Sequence, residues 1–304
     1  MKKRLLINSL LIIFILPIFL ESFVALGVIS TSPNKLIFDF LFRKEELNYD
    51  FVEFLDVGQG DSTIIKSGDK VAIIDFGVEQ DGDEIYKTLA KMNIRQVDLA
   101  LITHHHKDHM GGFVRLAKKV DVKTLIINSS SAEDGEKELF AEIITLAKEK
   151  GINLVLPTEK SRFEIGNANL EILKCNTLAD DENNRSIISK LEICNRSFLF
   201  TGDCDKGEEI EFIKTCSEDI DVLKMGHHGS KNSNCEEFLN AVKPEFAVAS
   251  AGYDNTYNHP ATETLDRMEK LGIKIYRTDL DQNIIFGFEK TSDNKVNEFV
   301  KFSE

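Results

Sequence analysis

Thr103-His104-His105-His106-Lys107-Asp108-His109-Met110-Gly111-Gly112 gathers four of the chain's seven histidines and a carboxylate into one short stretch. The run before it, Val97-Asp98-Leu99-Ala100-Leu101-Ile102, is apolar and β-prone, as a buried strand is. After the two glycines comes an amphipathic segment, Phe113-Val114-Arg115-Leu116-Ala117-Lys118-Lys119. The cluster therefore falls on a tight strand-to-helix turn. In an α/β sheet that is the end where ligands bind.

Neutral imidazoles and carboxylates together suit zinc or manganese, and a catalytic site leaves a coordination position open. His104 and His106 stand two apart, so an extended segment turns both toward one metal; Asp108 and His109 follow a turn and reach a second. Two such ions can generate hydroxide and clamp the attacking and leaving oxygens of a hydrolysis. The competing reading is a solvated polar loop or a His-rich tract that binds metal adventitiously. Spacing and strand-turn-helix context favour the site.

With 304 residues, 42% hydrophobic and 29% charged, the chain is of globular type with ample core. Its net charge is −14, and without the basic start Lys2-Lys3-Arg4 the remainder is more acidic still. That excludes a broad basic surface for gripping nucleic-acid backbones, but not a local patch or phosphate contact through metal. Residues 1–30 read as a signal peptide or an N-terminal membrane anchor: a basic start, an apolar run from Leu5 to Leu20, and a small-x-small Ala25-Leu26-Gly27. The run is long for a signal, and Asn8, Ser9, Pro17 and Glu21 interrupt a span. An uncleaved anchor is the favoured of the two, and either places the body outside the cytoplasm. Residues 31–49 read as a linker and 50–304 as the folded body. The five cysteines, at 175, 194, 204, 216 and 235, show no C-x-x-C spacing; they are expected mostly as buried free thiols, with Cys204 the reactive candidate.

The body opens with the alternating strand Phe51 to Val57, then Gly58-Gln59-Gly60-Asp61-Ser62, whose glycines permit a tight turn. Strands are expected at 63–66 and 71–75, the second ending in Asp75-Phe76-Gly77. Helices are expected from Asp83 to Met92 and from Glu133 to Lys150, the latter stopped by Gly151. Further strands fall at 123–127, 153–156, 162–165, 169–173, 187–193 and 197–200, with Asn195-Arg196 as a hairpin turn. Two half-chains, each of strands then helices, point to two packed sheets with helices outside. Three more polar islands follow strands. In Thr201-Gly202-Asp203 the aspartate either bridges metals or caps the helix starting near Lys206. In Gly226-His227-His228-Gly229-Ser230 the paired histidines are good ligands; adjacent residues of an extended chain point opposite ways, so one binds metal and the other meets substrate or supports it. The third is Asn255-Thr256-Tyr257-Asn258-His259-Pro260, where a single histidine weighs equally for and against the site.

His104-x-His106-x-Asp108-His109, Thr201-Gly202-Asp203 and Gly226-His227-His228-Gly229-Ser230 together resemble the metallo-β-lactamase-fold hydrolases. More closely, the chain is similar to the extracytoplasmic domain of ComEC/Rec2-type competence proteins, through Asp56-Val57-Gly58-Gln59-Gly60-Asp61-Ser62, Asp75-Phe76-Gly77, Leu223-Lys224-Met225, Asn258-His259-Pro260 and Arg277-Thr278-Asp279. The resemblance covers about residues 50 to 290. It implies a four-layer αββα sandwich, α/β in class, with a dinuclear zinc or manganese site between the sheets. It also implies His104 and His106 on one metal, with Asp108, His109 and one of His227 or His228 on the other. Asp203 would bridge them, Asp75 would brace the site, and a metal-bound hydroxide would be the nucleophile. The catalytic residues it implies are Asp108, His228 and His259, with Ser230 beside His259 for orienting substrate.

Two departures from the family pattern stand out. No histidine lies between positions 110 and 226, where many members have one; Asn184 and Ser186 match the polar residues of the competence branch. With one candidate membrane segment against the channel's many, the chain is not expected to form the channel itself. The resemblance implies a phosphodiesterase or nuclease acting outside the cytoplasm, on DNA or a cell-wall polymer. Its alternatives are a choline-phosphate-type esterase of the wall, or a surface binding module without catalysis. No docking motif for a protein partner is recognisable, and the expected membrane contact is through the N-terminal segment.

Overall fold

The computed structural model describes residues 49–303 apart from 217 and 292–294, so the expected anchor and nearly all of the linker lie outside the described residues. Among the described residues no helix is long and apolar enough to cross a membrane.

The body opens with β1 (Asp50–Phe54), β2 (Thr63–Ser67) and β3 (Lys70–Ile74), then α1 (Asp81–Lys91) and β4 (Gln96–Leu101). Short helices α2 (Lys107–Met110) and α3 (Phe113–Ala117) precede β5 (Asp121–Ile126), α4 (Lys137–Lys150) and β6 (Asn153–Val155). The second half comprises β7 (Arg162–Ile165), β8 (Ala168–Cys175), β9 (Ile187–Ile193), β10 (Arg196–Phe200), α5 (Lys206–Ile213) and β11 (Val222–Lys224). It continues through α6 (Glu236–Val242), β12 (Phe246–Ala249), α7 (Thr262–Lys270), β13 (Lys274–Arg277) and α8 (Thr278–Asp281), and closes with β14 (Asn283–Lys290) and β15 (Val296–Ser303).

These strands form two mixed sheets. One runs β15-β14-β1-β2-β3-β4-β5-β6, the other β13-β12-β11-β10-β9-β8-β7. In each, an antiparallel stretch gives way to a parallel one, at β3–β4 and at β10–β11. Parallel strands require crossovers, which the helices supply.

The alternation of side chains explains the layering. Val52, Phe54, Ala72, Ile74, Leu99 and Leu101 of the first sheet meet Leu170, Leu191, Phe198, Phe200 and Val248 of the second in one core. Phenylalanine fills much of it: Phe198 and Phe286 meet edge-on at 5.5 Å, and Phe54 stacks on Phe200 at 6.1 Å. Each such pair is worth about 0.5–1.5 kcal/mol beyond the area it buries. On the far face of the second sheet Leu199, Leu223 and Ala247 pack with Phe212, Phe238, Leu239 and Met268 of α5, α6 and α7. The far face of the first is buried too, at Val71, Ile73, Ala100 and Leu125, and α1, α3 and α4 bury Ile85, Leu89, Phe113, Leu116 and Ile143.

Some boundaries differ from expectation. α1 starts at Asp81 rather than Asp83, and α4 at Lys137 rather than Glu133. The β9–β10 turn is Cys194-Asn195, one residue earlier than Asn195-Arg196, because both have positive φ (50° and 66°), as a tight hairpin turn demands.

Candidate metal centre

Four polar stretches lie just beyond the carboxyl ends of strands that pair in parallel: Asp75 after β3, Thr103–His109 after β4, Asp203 after β10, His227 and His228 after β11. The two sheets therefore deliver their ligating side chains to one seam.

Asp75 organises the first side. Its carboxylate accepts from the Thr103 N–H (2.8 Å), the Thr103 hydroxyl (2.7 Å) and His109 Nδ1 (2.9 Å). With its one proton given to Asp75, the Thr103 hydroxyl can only accept from His104 Nδ1, 3.2 Å away. His104 and His109 are thus both held with Nδ1–H inward and Nε2 outward. Burial, more than the charge of neighbouring His109, keeps His104 neutral, well below the usual imidazole range.

His109 Nε2 then lies 3.3 Å from Asp203 Oδ2. His228 Nε2 lies 3.5 Å from Asp108 Oδ2 and 3.6 Å from Asp203 Oδ2, and His104 Nε2 lies 3.1 Å from His106 Nδ1. Most of these separations are long for hydrogen bonds. They match the edge of a tetrahedral ligand shell, about 3.3 Å for nitrogens about 2.05 Å from zinc. His109 Nε2, His228 Nε2 and Asp203 Oδ1 are buried and have no hydrogen-bond partner. Orphaned buried polar atoms are costly, and three converging on one place call for a ligand. The donor set of imidazoles and carboxylates fits divalent zinc or manganese.

Two candidate ligand triads result, His104–His109–Asp203 and Asp108–His109–His228. A third grouping, Asp61–Asp75–His109, already has its counter-charge in Lys224, whose Nζ is 2.7 Å from Asp61. The electrostatics fit a cation. Burial opposes charge on His228, yet the nearby carboxylates of Asp203, Asp61 and Asp108 raise it to about 10. Burial likewise opposes charge on His109, and Asp203 and Asp75 outweigh it. Divalent ions would take the place of those protons.

The structure also sorts the remaining sequence candidates. His106 touches His104 but belongs to neither triad. His227 and His228 do not lie in extended chain: both are left-handed (φ 50° and 54°) in a 3-10 turn, so they diverge by a twist and not by alternation. His228 is buried, whereas His227 is 28% exposed and 3.7 Å from Asp203. Asp203 is not the helix cap; Asp205 is, accepting from the Gly207 and Glu208 N–H groups. Ser186 accepts from the Asp203 N–H (3.0 Å), and Asn184 holds Asp205 through both its amide atoms. Ser230 Oγ accepts from the Asn232 N–H. His259 is half-buried with an unpartnered Nδ1, its ring 6.3 Å from His228 and 5.6 Å from His227. Burial, then the charges of His228 and His227, push it down to about 4. Cys204 is not reactive: it is fully buried, and desolvation pushes its thiol well up. All five cysteines are free.

Asp61 and Lys224 carry roles that the sequence reading did not assign. Asp61 Oδ1 is 3.3 Å from His228 Nδ1, which also meets the Ser250 carbonyl at 3.1 Å, while Lys224 Nζ donates to the Met225 carbonyl. The signal was present: a lysine inside the apolar strand Val222-Leu223-Lys224 requires a buried carboxylate. The Gly58–Asp61 loop also leans on the metal-side turn, since a Cβ on Gly60 would come 2.8 Å from the Asp108 carbonyl oxygen.

The family model of the Metallo-beta-lactamase superfamily matches residues 55–253. Competence protein ComA of Neisseria gonorrhoeae is 31% identical over 76% of this chain and 31% of its own length. ComE operon protein 3 of Bacillus subtilis is 28% identical over 82% of this chain and 34% of its own. The chain thus spans about a third of the length of these curated relatives. Among solved structures, the metallo-beta-lactamase fold protein YhfI from Bacillus subtilis superposes with a TM-score of 0.54 at 13% identity, over 78% of this chain and 99% of its own. The chain belongs to the metallo-beta-lactamase superfamily and is related within it to the ComA/ComEC/Rec2 competence proteins.

Proposed function

We propose that this chain is a phosphodiesterase that works with two divalent ions, zinc or manganese, and that its substrate is nucleic acid outside the cytoplasm. The observation that carries the reading is the convergence of unpartnered His109 Nε2, His228 Nε2 and Asp203 Oδ1 from both sheets. The ions would be held by His104, His106, Asp108, His109, Asp203 and His228, with His227 at the margin. When bound, such ions lower the pKa of water and neutralise charge on a phosphoryl oxygen.

The chain's own residues do the rest. Asp75 and Thr103 fix the rings of His104 and His109, and Asp61 with the Ser250 carbonyl fixes His228. Asp108, partly exposed and held well below the usual carboxylate range by His228 and His109 against the cost of burial, stays ionised at the mouth. His259, neutral near pH 7, offers a ring nitrogen to a substrate oxygen at the half-open side. Nucleic acid is favoured because the relatives are named for competence and recombination, processes that handle DNA. Residues 1–30 would tether or export the body.

Ion content and turnover of the purified full chain test the reading, with bis-p-nitrophenyl phosphate and linear DNA as substrates and zinc or manganese added. The expected result is about two ions per chain and DNA cleavage that Asp203→Asn lowers at least about 100-fold. Turnover of the small diester without DNA cleavage would point to a wall polymer. No ions and no turnover would leave a binding module.

A further inference from the structure

Tyr253 and Tyr257 are 81% and 67% exposed, and both lie on the loop that presents His259. Isolated exposed apolar residues need no explanation, but two tyrosines on one loop at the rim of a catalytic seam do. The loop is pinned: Asn255 Nδ2 donates to the Gly252 and His259 carbonyls, and its Oδ1 accepts from the His259 N–H. At its root a Cβ on Gly252 would come 3.0 Å from the Gln59 backbone nitrogen. The tyrosines are therefore held out in a fixed frame.

Tyr257 stacks on His259 at 5.9 Å with planes 26° apart, and His259 stacks on His228 at 6.3 Å with planes 25° apart. Near-parallel rings thus climb from the buried ligand His228 to solvent, the outermost with its face available. Lys107 and Lys231 are exposed on the turns that carry the site histidines, and give the acidic protein local positive charge for a phosphate backbone.

We propose that Tyr257, with Tyr253 on the same loop, is a stacking platform for an unpaired base next to the scissile phosphate, which makes single-stranded nucleic acid the substrate. This rests on the phosphodiesterase reading above and deepens it. Paired bases inside a duplex have both faces covered by their neighbours, so away from a duplex end only an unpaired base can lie on such a ring, and stacking tolerates any sequence. A choline headgroup would instead be enclosed by several rings. Among the described residues Tyr257 has one ring partner, His259.

The test compares cleavage of a single-stranded oligonucleotide with that of an abasic strand of equal length, using the full chain. The quantity read is the ratio of the two kcat/KM values. Tyr257→Ala should lower that preference about 10-fold, Tyr253→Ala less, and Tyr257→Phe should keep it. An unchanged ratio with DNA cleavage intact would overturn the platform and leave the nuclease standing. Failure of the wild type to cleave either strand would overturn both. Tyr257-dependent inhibition by phosphocholine without base preference would replace the platform with an ammonium site. A change of oligomeric state in the Tyr253→Ala, Tyr257→Ala double variant at unchanged ratio would assign the rings to a protein interface.

Discussion

The role of the seam's histidines is set by what stands behind them. His228 is aimed by Asp61, and Asp61 is kept ionised in the interior by Lys224, against the cost of burial. Asp61→Asn should therefore weaken ion binding about 10- to 100-fold without removing a ligand, read by competition with a coloured chelator. Lys224→Met should do the same and also destabilise the fold by about 3–5 kcal/mol, because it strands a buried carboxylate. Equal ion affinity in both variants and the wild type would refute the positioning role. The candidate ligands that the fold gathers, His104, Asp108, His109, Asp203 and His228, were legible in the sequence because each stands where an apolar strand ends. Asp61 and Lys224 were legible only as motif members; their pairing joins residues far apart in the chain, which spacing cannot report. The His227–His228 geometry was out of reach too, since two successive left-handed residues have no signal in their side chains.

Among the elements, the turn bearing His227 and His228 is braced by three helices. Asn234 clasps Gly226 through its N–H (2.9 Å) and its carbonyl (3.0 Å). Glu209 of α5 accepts from the Asn234 and Cys235 N–H groups ahead of α6, and Arg267 of α7 donates to the Ser233 and Asn234 carbonyls. Burial pushes Glu209 up to about 7, past the opposing pull of those N–H bonds. The folded state then holds a proton that the unfolded state releases at about 4.5. Stability from this group is full below about pH 4.5 and lost as pH rises through about 7, on the order of 3 kcal/mol. Unfolding free energies from denaturant titrations between pH 4.5 and 7.5, taken with chelator, should fall by that amount in the wild type beyond any change in Glu209→Gln. Parallel slopes would exclude Glu209 as the cause. Elements of this kind were easier to read than their links: the expected strands through β10 held to within a few residues, whereas β12 to β15 went unread and the Glu209–Asn234–Gly226 chain required the packed helices.

In the whole molecule, two sheets of like design meet so that neither owns the site. Two packed sheets with helices outside were anticipated from the order of strands and helices, because that order leaves a periodic trace. The late addition to the first sheet was not: β14 pairs along the whole of β1, from Asp50↔Phe288 to Phe54↔Ile284, across more than two hundred residues. Such a partner has no local mark. A chain ended after Gln282 should therefore lose ion binding and a cooperative melting transition, although it keeps every ligand; retention of both would show that β14 and β15 are dispensable.

That pairing also sets a timetable. A ribosome delivers a chain from its beginning, so β1 emerges before every candidate ligand and its neighbour β14 after all of them. Until Asn283–Lys290 emerges, the leading strand has an open flank and the seam has no firm first wall. Ion binding at the seam would in this way wait on a strand made long after the side chains that it steadies.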